Sequence, residues 1–318
     1  MMNRVLDFEK PIVELEKQIA EMKTYAVAEN VELNDEIERL ESKLDKLIEE
    51  TYSKLSRWQR VLLSRHPERP YALDYIQRIF TDYVELQGDR LFANDLALVG
   101  GIAKLDGRPV MVMGQQKGRT TKENLRRNFG MMNPEGYRRA VRLMKLAAKF
   151  NRPVVILVDT PGAYPGIGAE ERGQGEAIAR NLFEMTLLPV PVLVIVIGEG
   201  ASGGALGIGM GDRVLMMENA WYSVISPEGC AAILWREAGK APQAAEELKL
   251  TAPDLLELGV IDEIVQEPKG GAHRNHDQAA RIVKDRILFH LAQLRSLDPD
   301  TLIERRIEKY GGMGFFKE

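Results

Sequence analysis

Residues 198–211 read GEGASGGALGIGMG, seven glycines in fourteen positions, directly after the apolar run 192–197. A buried strand that breaks into bare backbone either packs closely on a neighbour or holds a ligand against its amides. Residues 198–203 fit the dinucleotide-phosphate fingerprint letter for letter, with Glu218 about 20 positions on. The context does not fit. That unit needs a full crossover helix and about 30 residues in all. Here the next apolar run starts at Val214, which leaves room for roughly two helical turns. No Lys-Ser or Lys-Thr follows the glycines, so a P-loop fails too. A short helix opened by glycines has another use. Its first N–H groups lack intrahelical acceptors and carry the positive end of the dipole. With no side chain at Gly203 or Gly204, a carbonyl can approach those donors closely, which is the geometry of an oxyanion hole. Close helix–strand packing is the competing reading of the same glycines.

The flanking sequence sets this segment in an α/β frame. Residues 96–105 and 110–115 are short apolar runs around Asp106-Gly107, a hairpin turn signal. Pro134 opens an amphipathic helix through residue 150, with Tyr137, Val141, Met144 and Ala148 on one face. Residues 153–158 read as a buried strand, 170–188 as a helix, and 192–197 and 214–217 as further buried strands. Ahead of this, residues 1–70 are charged and helical in pattern. Ile12, Leu15, Ile19 and Met22 recur at steps of three and four, as do Leu33, Ile37, Leu40, Leu44 and Leu47. With a break at residues 28–30, they predict a helical hairpin ending near His66-Pro67, serving as a structural or oligomerisation arm. The expected domains are the arm, 1–70; a central domain, 71–292; and a C-terminal helical tail, 293–318.

Composition narrows the function classes. A net charge of −4 gives no global field for nucleic acid. No apolar run approaches the roughly 20 residues of a membrane span, and residues 1–10 hold no apolar signal core. One cysteine, Cys230, excludes an internal disulfide and fits a reducing cytoplasm. Its neighbours Ala231, Ala232 and Ile233 read as core, which makes it a packed thiol.

Two strand-end loops meet the ligand rule for open α/β sheets. One is the glycine segment; the other is residues 159–166, DTPGAYPG, where Gly162 and Ala163 either line a pocket floor through N–H groups or form a plain turn. Arg172 sits near a helix start, where a cation opposes the dipole, so it is a candidate for a ligand carboxylate as well as for a surface ion pair. Lys117 and Arg119 begin a basic run with Lys122, Arg126 and Arg127, suited to phosphates, a partner chain or a solvated face. His273 and His276 have metal-like spacing without a carboxylate or thiol cluster in sequence, so no metal site is expected.

Longer strings carry a family resemblance: LDFE at 6–9, RHPERPY at 65–71, DTPGAYPGIGAEERGQ at 159–174, GEGASGGALGIGMG at 198–211, SPEGCA at 226–231 and GGAHR at 270–274. Together they resemble the α-subunit family of bacterial acetyl-CoA carboxylase carboxyltransferases over nearly the whole chain. The match is looser in the N-terminal helices and in the last 25 or so residues. The resemblance implies a crotonase-like fold, a β-β-α spiral that holds enolates on paired main-chain amides; TAPDLLELGVIDEIV at 251–265 resembles the ending common in that fold. It implies a cytoplasmic enzyme subunit that moves the carboxyl group of carboxybiotin, carried by biotin carboxyl carrier protein, to acetyl-CoA to give malonyl-CoA, the first committed step of fatty acid biosynthesis. The implied partners are a β subunit in an α2β2 assembly, with zinc in that β chain, and biotin carboxylase. The implied catalytic groups are the amides of Gly203 and Gly204. A crotonase-type enoyl-CoA hydratase or isomerase is the alternative on the same fold, with Glu199, Glu170 or Glu171 as its carboxylate. A non-catalytic scaffold built on the arm is the alternative from another class.

Overall fold

Helices α1 (Lys10–Glu29) and α2 (Asn34–Ser53) form the expected hairpin in a computed structural model that describes residues 5–314. Asn30 turns the chain in the left-handed region, φ 52°, and its N–H caps Ala26 O. Ile12, Leu15 and Ile19 form a buried stripe on α1, whereas Leu33, Ile37, Leu40, Leu44 and Leu47 are half-buried and the buried residue of α2 is Ile48. The hairpin stops at Ser53 rather than near His66. A separate helix, α3 (Arg57–Ser64), starts there because Ser56 and Gln59 form a reciprocal cap. Arg57 ties α3 to the body through Asp254 at 2.5 Å and Glu246 at 2.7 Å.

The root of the arm is latched by Glu9. Its buried carboxylate accepts hydrogen bonds from the Tyr52 hydroxyl (2.5 Å) and the Leu6 N–H (3.2 Å), and it meets His273 Nε2 at 2.9 Å. The His66 and His273 rings stack with centroids 4.3 Å apart and a 43° tilt, while His66 Nδ1 accepts from the Glu68 N–H. Arg274 adds a pair with Glu16 at 2.6 Å. Burial alone would raise the Glu9 carboxyl, but the His273 and Tyr52 hydrogen bonds outweigh it and hold it at about 2. A depressed folded-state value gives stability that is complete above the ordinary 4.5 and lost as pH falls toward about 2. Acidification through that window is therefore expected to remove hydrogen-exchange protection from α1 and α2. The Glu9→Gln variant is expected to lack that step; a variant that keeps it contradicts the latch.

Helix α4 (Ala72–Ile79) leads to the edge strand β1 (Thr81–Glu85). Strands β2 (Leu98–Leu105) and β3 (Arg108–Gln115) are the hairpin read from sequence, its turn set by Asp106 at φ 46° and Gly107 at φ 76°. Helices α5 (Thr121–Arg126) and α6 (Pro134–Lys149) follow, then β4 (Val154–Thr160), buried throughout. The single helix expected over 170–188 is two: α7 (Ile167–Glu171) and α8 (Gln174–Thr186), broken where Gly173 takes φ 82°. Strand β5 (Val192–Ala201) is longer than its apolar run and also buried throughout. Beyond it come α9 (Ser202–Leu206), β6 (Arg213–Met217), β7 (Trp221–Ser223), α10 (Pro227–Trp235), α11 (Ala241–Leu248), α12 (Ala252–Glu257), β8 (Glu263–Val265), α13 (His276–Leu294) and α14 (Pro299–Gly311).

These strands form one sheet in the order β1-β2-β3-β4-β5-β6-β8, with β7 joined to the end of β5. Strands β1 to β3 are antiparallel, and β3, β4, β5, β6 and β8 run parallel. The carboxyl ends of β3, β4 and β5 therefore open on the same edge, where α/β sheets take ligands. The run around Cys230 is core only at Ala231, which is fully buried: α10 leaves Ile233 72% and Leu234 64% exposed, Ala232 is exposed, and Cys230 is half-buried. Helix α14 closes the far side. Its fully buried Arg306 donates to Met185 O (2.6 Å) and Leu188 O (2.9 Å) and pairs with Asp212. Tyr310 Oη accepts from the Gly211 N–H at 2.8 Å, bracing the end of the glycine segment. The first four residues of the expected arm and the last four of the expected tail lie outside the described residues. No helix among the described residues is long and apolar enough to cross a membrane.

Candidate functional site

Strands β4 and β5 end side by side, and their loops touch. A Cβ built on Gly204 would lie 2.2 Å from Gly162 C, 2.4 Å from Gly162 O and 2.7 Å from Ala163 N. Only a glycine lets the two backbones come this close. Gly203 is different: a Cβ there would meet just the tip of Ile178, at 3.2 Å. Of the two readings of the glycines, close packing thus accounts for Gly204, and it packs helix α9 on the loop after β4 rather than helix on strand. The same contact sets the α9 N-terminus beside Ala163. On the β4 side, Thr160 Oγ1 donates to Gly162 O at 2.7 Å and accepts from Gly162 N–H at 3.2 Å. Gly203, Leu206, Tyr222 and Val224 line an apolar cavity of about 410 Å³ with residues of α12 and α14. A Cβ on Gly162 would meet nothing within 4 Å, but Gly162, Ala163 and Gly204 do not line this cavity beside α9.

The layer beneath the loops is ionic. Lys117 follows β3 and is buried, with its ammonium 2.6 Å from Asp159 Oδ1 and 2.8 Å from Glu199 Oε1. Arg65 reaches Glu199 Oε2 at 2.6 Å and Glu228 at 2.5 Å. Asp159 Oδ1 also accepts the Glu199 N–H at 3.0 Å, so one carboxylate spans both strand ends. Burial would lower the Lys117 ammonium, yet Asp159 and Glu199 outweigh it and raise it. Burial would raise Glu199, yet Lys117 and Arg65 outweigh it and hold its carboxyl below the usual range.

This corrects the solvated reading for Lys117, while Lys122 and Arg126 of the same run are exposed. Lys117 is an interior cation, and its partners lie 42 and 82 residues away in sequence. Arg119 is a strut: it donates to Pro67 O (2.6 Å) and Arg69 O (2.9 Å), pairs with Asp74, and stacks on Tyr71 at 4.0 Å. Arg172, expected at a ligand carboxylate, meets the protein's own Glu135 at 2.5 Å and covers Phe92 at 4.8 Å. His273 and His276 diverge. His273 does find a carboxylate, Glu9, whereas His276 meets Glu68 O at 2.6 Å. Glu9, His66 and His273 bring ligand-type atoms within 4.8 Å of one another, in a cluster where Glu9 meets His273 at 2.9 Å and His66 Nδ1 accepts the Glu68 N–H. Three residues that sequence reading passed over matter here: Gln115, Asp159 and Arg65. The signal for the first two was their place, polar groups ending buried runs.

A family model described as acetyl co-enzyme A carboxylase carboxyltransferase-like matches residues 5–314. The acetyl-coenzyme A carboxylase carboxyl transferase subunit alpha of Geobacter metallireducens is 60% identical over 313 residues, 98% of this chain and 98% of the relative. The subunit of the same name in Bacillus cereus is 59% identical over 309 residues, covering 97% and 95%. The chain belongs to this α-subunit family. Among solved structures, transcarboxylase 12S aligns with a TM-score of 0.56 at 20% identity, over 79% of this chain. This chain spans 43% of that one. A Pseudomonas malonate decarboxylase hetero-tetramer solved with coenzyme A aligns with a TM-score of 0.58 at 16% identity, over 74% of this chain and 92% of that one. At such identities the likeness is one of fold, and it bears out the crotonase-like α/β class.

Proposed function

We propose that this chain supplies half of a carboxyl-transfer site and works as the α subunit of an acetyl-CoA carboxylase carboxyltransferase. The observation that carries the reading is the backbone contact between Gly204 and the Gly162–Ala163 turn, which brings the first turn of α9 against Ala163 N. Carboxybiotin, a substrate delivered on the biotin carboxyl carrier protein after biotin carboxylase has loaded it, supplies the carboxyl group. Acetyl-CoA receives it and becomes malonyl-CoA. Negative charge gathers on the ureido oxygen as the carboxyl leaves and on the thioester oxygen as the α-carbon turns nucleophilic. Amides fixed in advance stabilise such charge without reorganising. Gly203 and Gly204 serve the ureido side, Gly162 and Ala163 floor the pocket, and Lys117, Asp159 and Glu199 hold the two loops in place. The α-proton passes to the ureido anion, so no side-chain base is required.

A zinc-bearing β chain supplies the acetyl-CoA side in an α2β2 assembly. Val224, 77% exposed, lines the same cavity as Gly203, so a chain docking on Val224 would cover that cavity. The setting is the cytoplasm. The hydratase alternative needs a free carboxylate at the donors; Glu199 is already engaged by Lys117 and Arg65. The purified chain is expected to make no malonyl-CoA alone and to make it from carboxybiotin and acetyl-CoA once the β chain is added. Enoyl-CoA hydration by the isolated chain would overturn the proposal.

A further inference from the structure

We infer that Gln115 is a positioning residue for carboxyl transfer, one side-chain amide that sets the spacing of the two strand-end loops. This rests on the role proposed for the Gly204 amide. Gln115 ends β3 and is fully buried. Its Nε2 donates to Gly204 O at 2.7 Å, and its Oε1 accepts the Asp159 N–H at 3.1 Å. One planar group thus grips α9 at one end and the exit of β4 at the other.

The grip matters because α9 is short. Five residues leave it few hydrogen bonds of its own, so its place depends on outside contacts. Asn181 Nδ2 holds its far end through Gly207 O at 2.9 Å. Gln115 holds its middle, at the residue whose backbone already touches Gly162. Lys117 and Asp159 bind β4 to β5, yet neither side chain reaches α9 by a hydrogen bond among the described residues. Without the amide, α9 can slide along the Gly162–Ala163 turn and carry the donors away from the reacting oxygen. A misplacement of about 1 Å costs about 10²-fold in rate.

The test compares Gln115→Met and Gln115→Glu in the assembled α–β complex. Methionine keeps length and bulk but removes both hydrogen bonds. Glutamate keeps an acceptor for the Asp159 N–H and turns the donor facing Gly204 O into an acceptor. Turnover is measured per folded complex, with folding and assembly followed by circular dichroism and size-exclusion chromatography. The expected result is a kcat about 10²-fold lower in both variants, with the KM for acetyl-CoA within about twofold. A merely structural role would lower the melting temperature and leave kcat per folded complex within about twofold of the parent, and that result overturns the inference. Gly204→Ala run in parallel separates the two claims. If that variant keeps full turnover, the amide reading itself fails; if it is inactive while both Gln115 variants are normal, only the positioning role fails.

Discussion

Replacing Gly204 by alanine is expected to lower carboxyl transfer by about 10²–10³-fold in the assembled enzyme, the range for loss of one preorganised donor. The added Cβ would start 2.2 Å from Gly162 C, whereas ordinary contact begins at 3.4 Å. The obstacle is backbone on both sides, so no side chain can swing away. The loops must part, and the donors part with them. The sheet itself is spared, because the clash lies beyond the ends of β4 and β5, so the variant is expected to fold and assemble. Gly203→Ala is the internal comparison. Its Cβ meets only Ile178 Cδ1, at 3.2 Å, and a side-chain tip moves cheaply. Steady-state turnover of both variants, beside their circular dichroism, checks this. Equal damage at the two positions would deny Gly204 its special role.

The contrast between two adjacent glycines could not be seen in the sequence, which treats them alike. Local patterns were legible where local physics decides. Asp106-Gly107 specifies its turn because both residues take positive φ there. The runs at 153–158 and 192–197 specify β4 and β5 because strands covered on both faces are apolar throughout. The glycine segment was legible as something other than a dinucleotide loop because the next strand begins too soon for a full crossover helix. Long-range charge pairing was not legible. QQKGR at 115–119 has the look of a solvated run, yet Lys117 is drawn inward by Asp159 and Glu199, and Arg119, though exposed, is tied down by Asp74 and the carbonyls of Pro67 and Arg69. Gln115 was missed for the same reason: its two partners lie 44 and 89 residues away. Composition misled once, at α10, whose apolar residues Ile233 and Leu234 lie on the surface.

The largest loss of stability is expected from breaking the ion pair between Arg69 and Glu267. Both side chains are 1% exposed, and the guanidinium grips the carboxylate with two bonds, Nη2–Oε1 at 2.5 Å and Nη1–Oε2 at 3.0 Å. Burial alone would raise the Glu267 carboxyl; Arg69 outweighs it and holds the group at about 2. Glu267→Gln leaves a buried cation without its counter-charge, and Arg69→Met leaves a buried anion, each expected to cost about 3–5 kcal/mol in urea unfolding. An apolar double replacement, Arg69→Met with Glu267→Leu, removes both charges and often restores such a loss. Here it is expected to recover only part. Glu267 also accepts the Asn219 and Ala272 N–H groups at 3.0 and 2.9 Å, and Arg69 Nε donates to Ile197 O at 2.8 Å. Each orphaned backbone group costs about 1–3 kcal/mol. Three such groups are orphaned, about 3 kcal/mol together even at the low end, so the double variant should unfold well before the parent and close to the single variants. Full recovery would mean that the backbone bonds contribute little. Ile197 is the last residue before Gly198, so its carbonyl fixes where the apolar strand hands over to the glycine segment. A double variant that folds should then transfer carboxyl groups more slowly than its stability alone predicts, because the anchor of the strand behind the donors is gone.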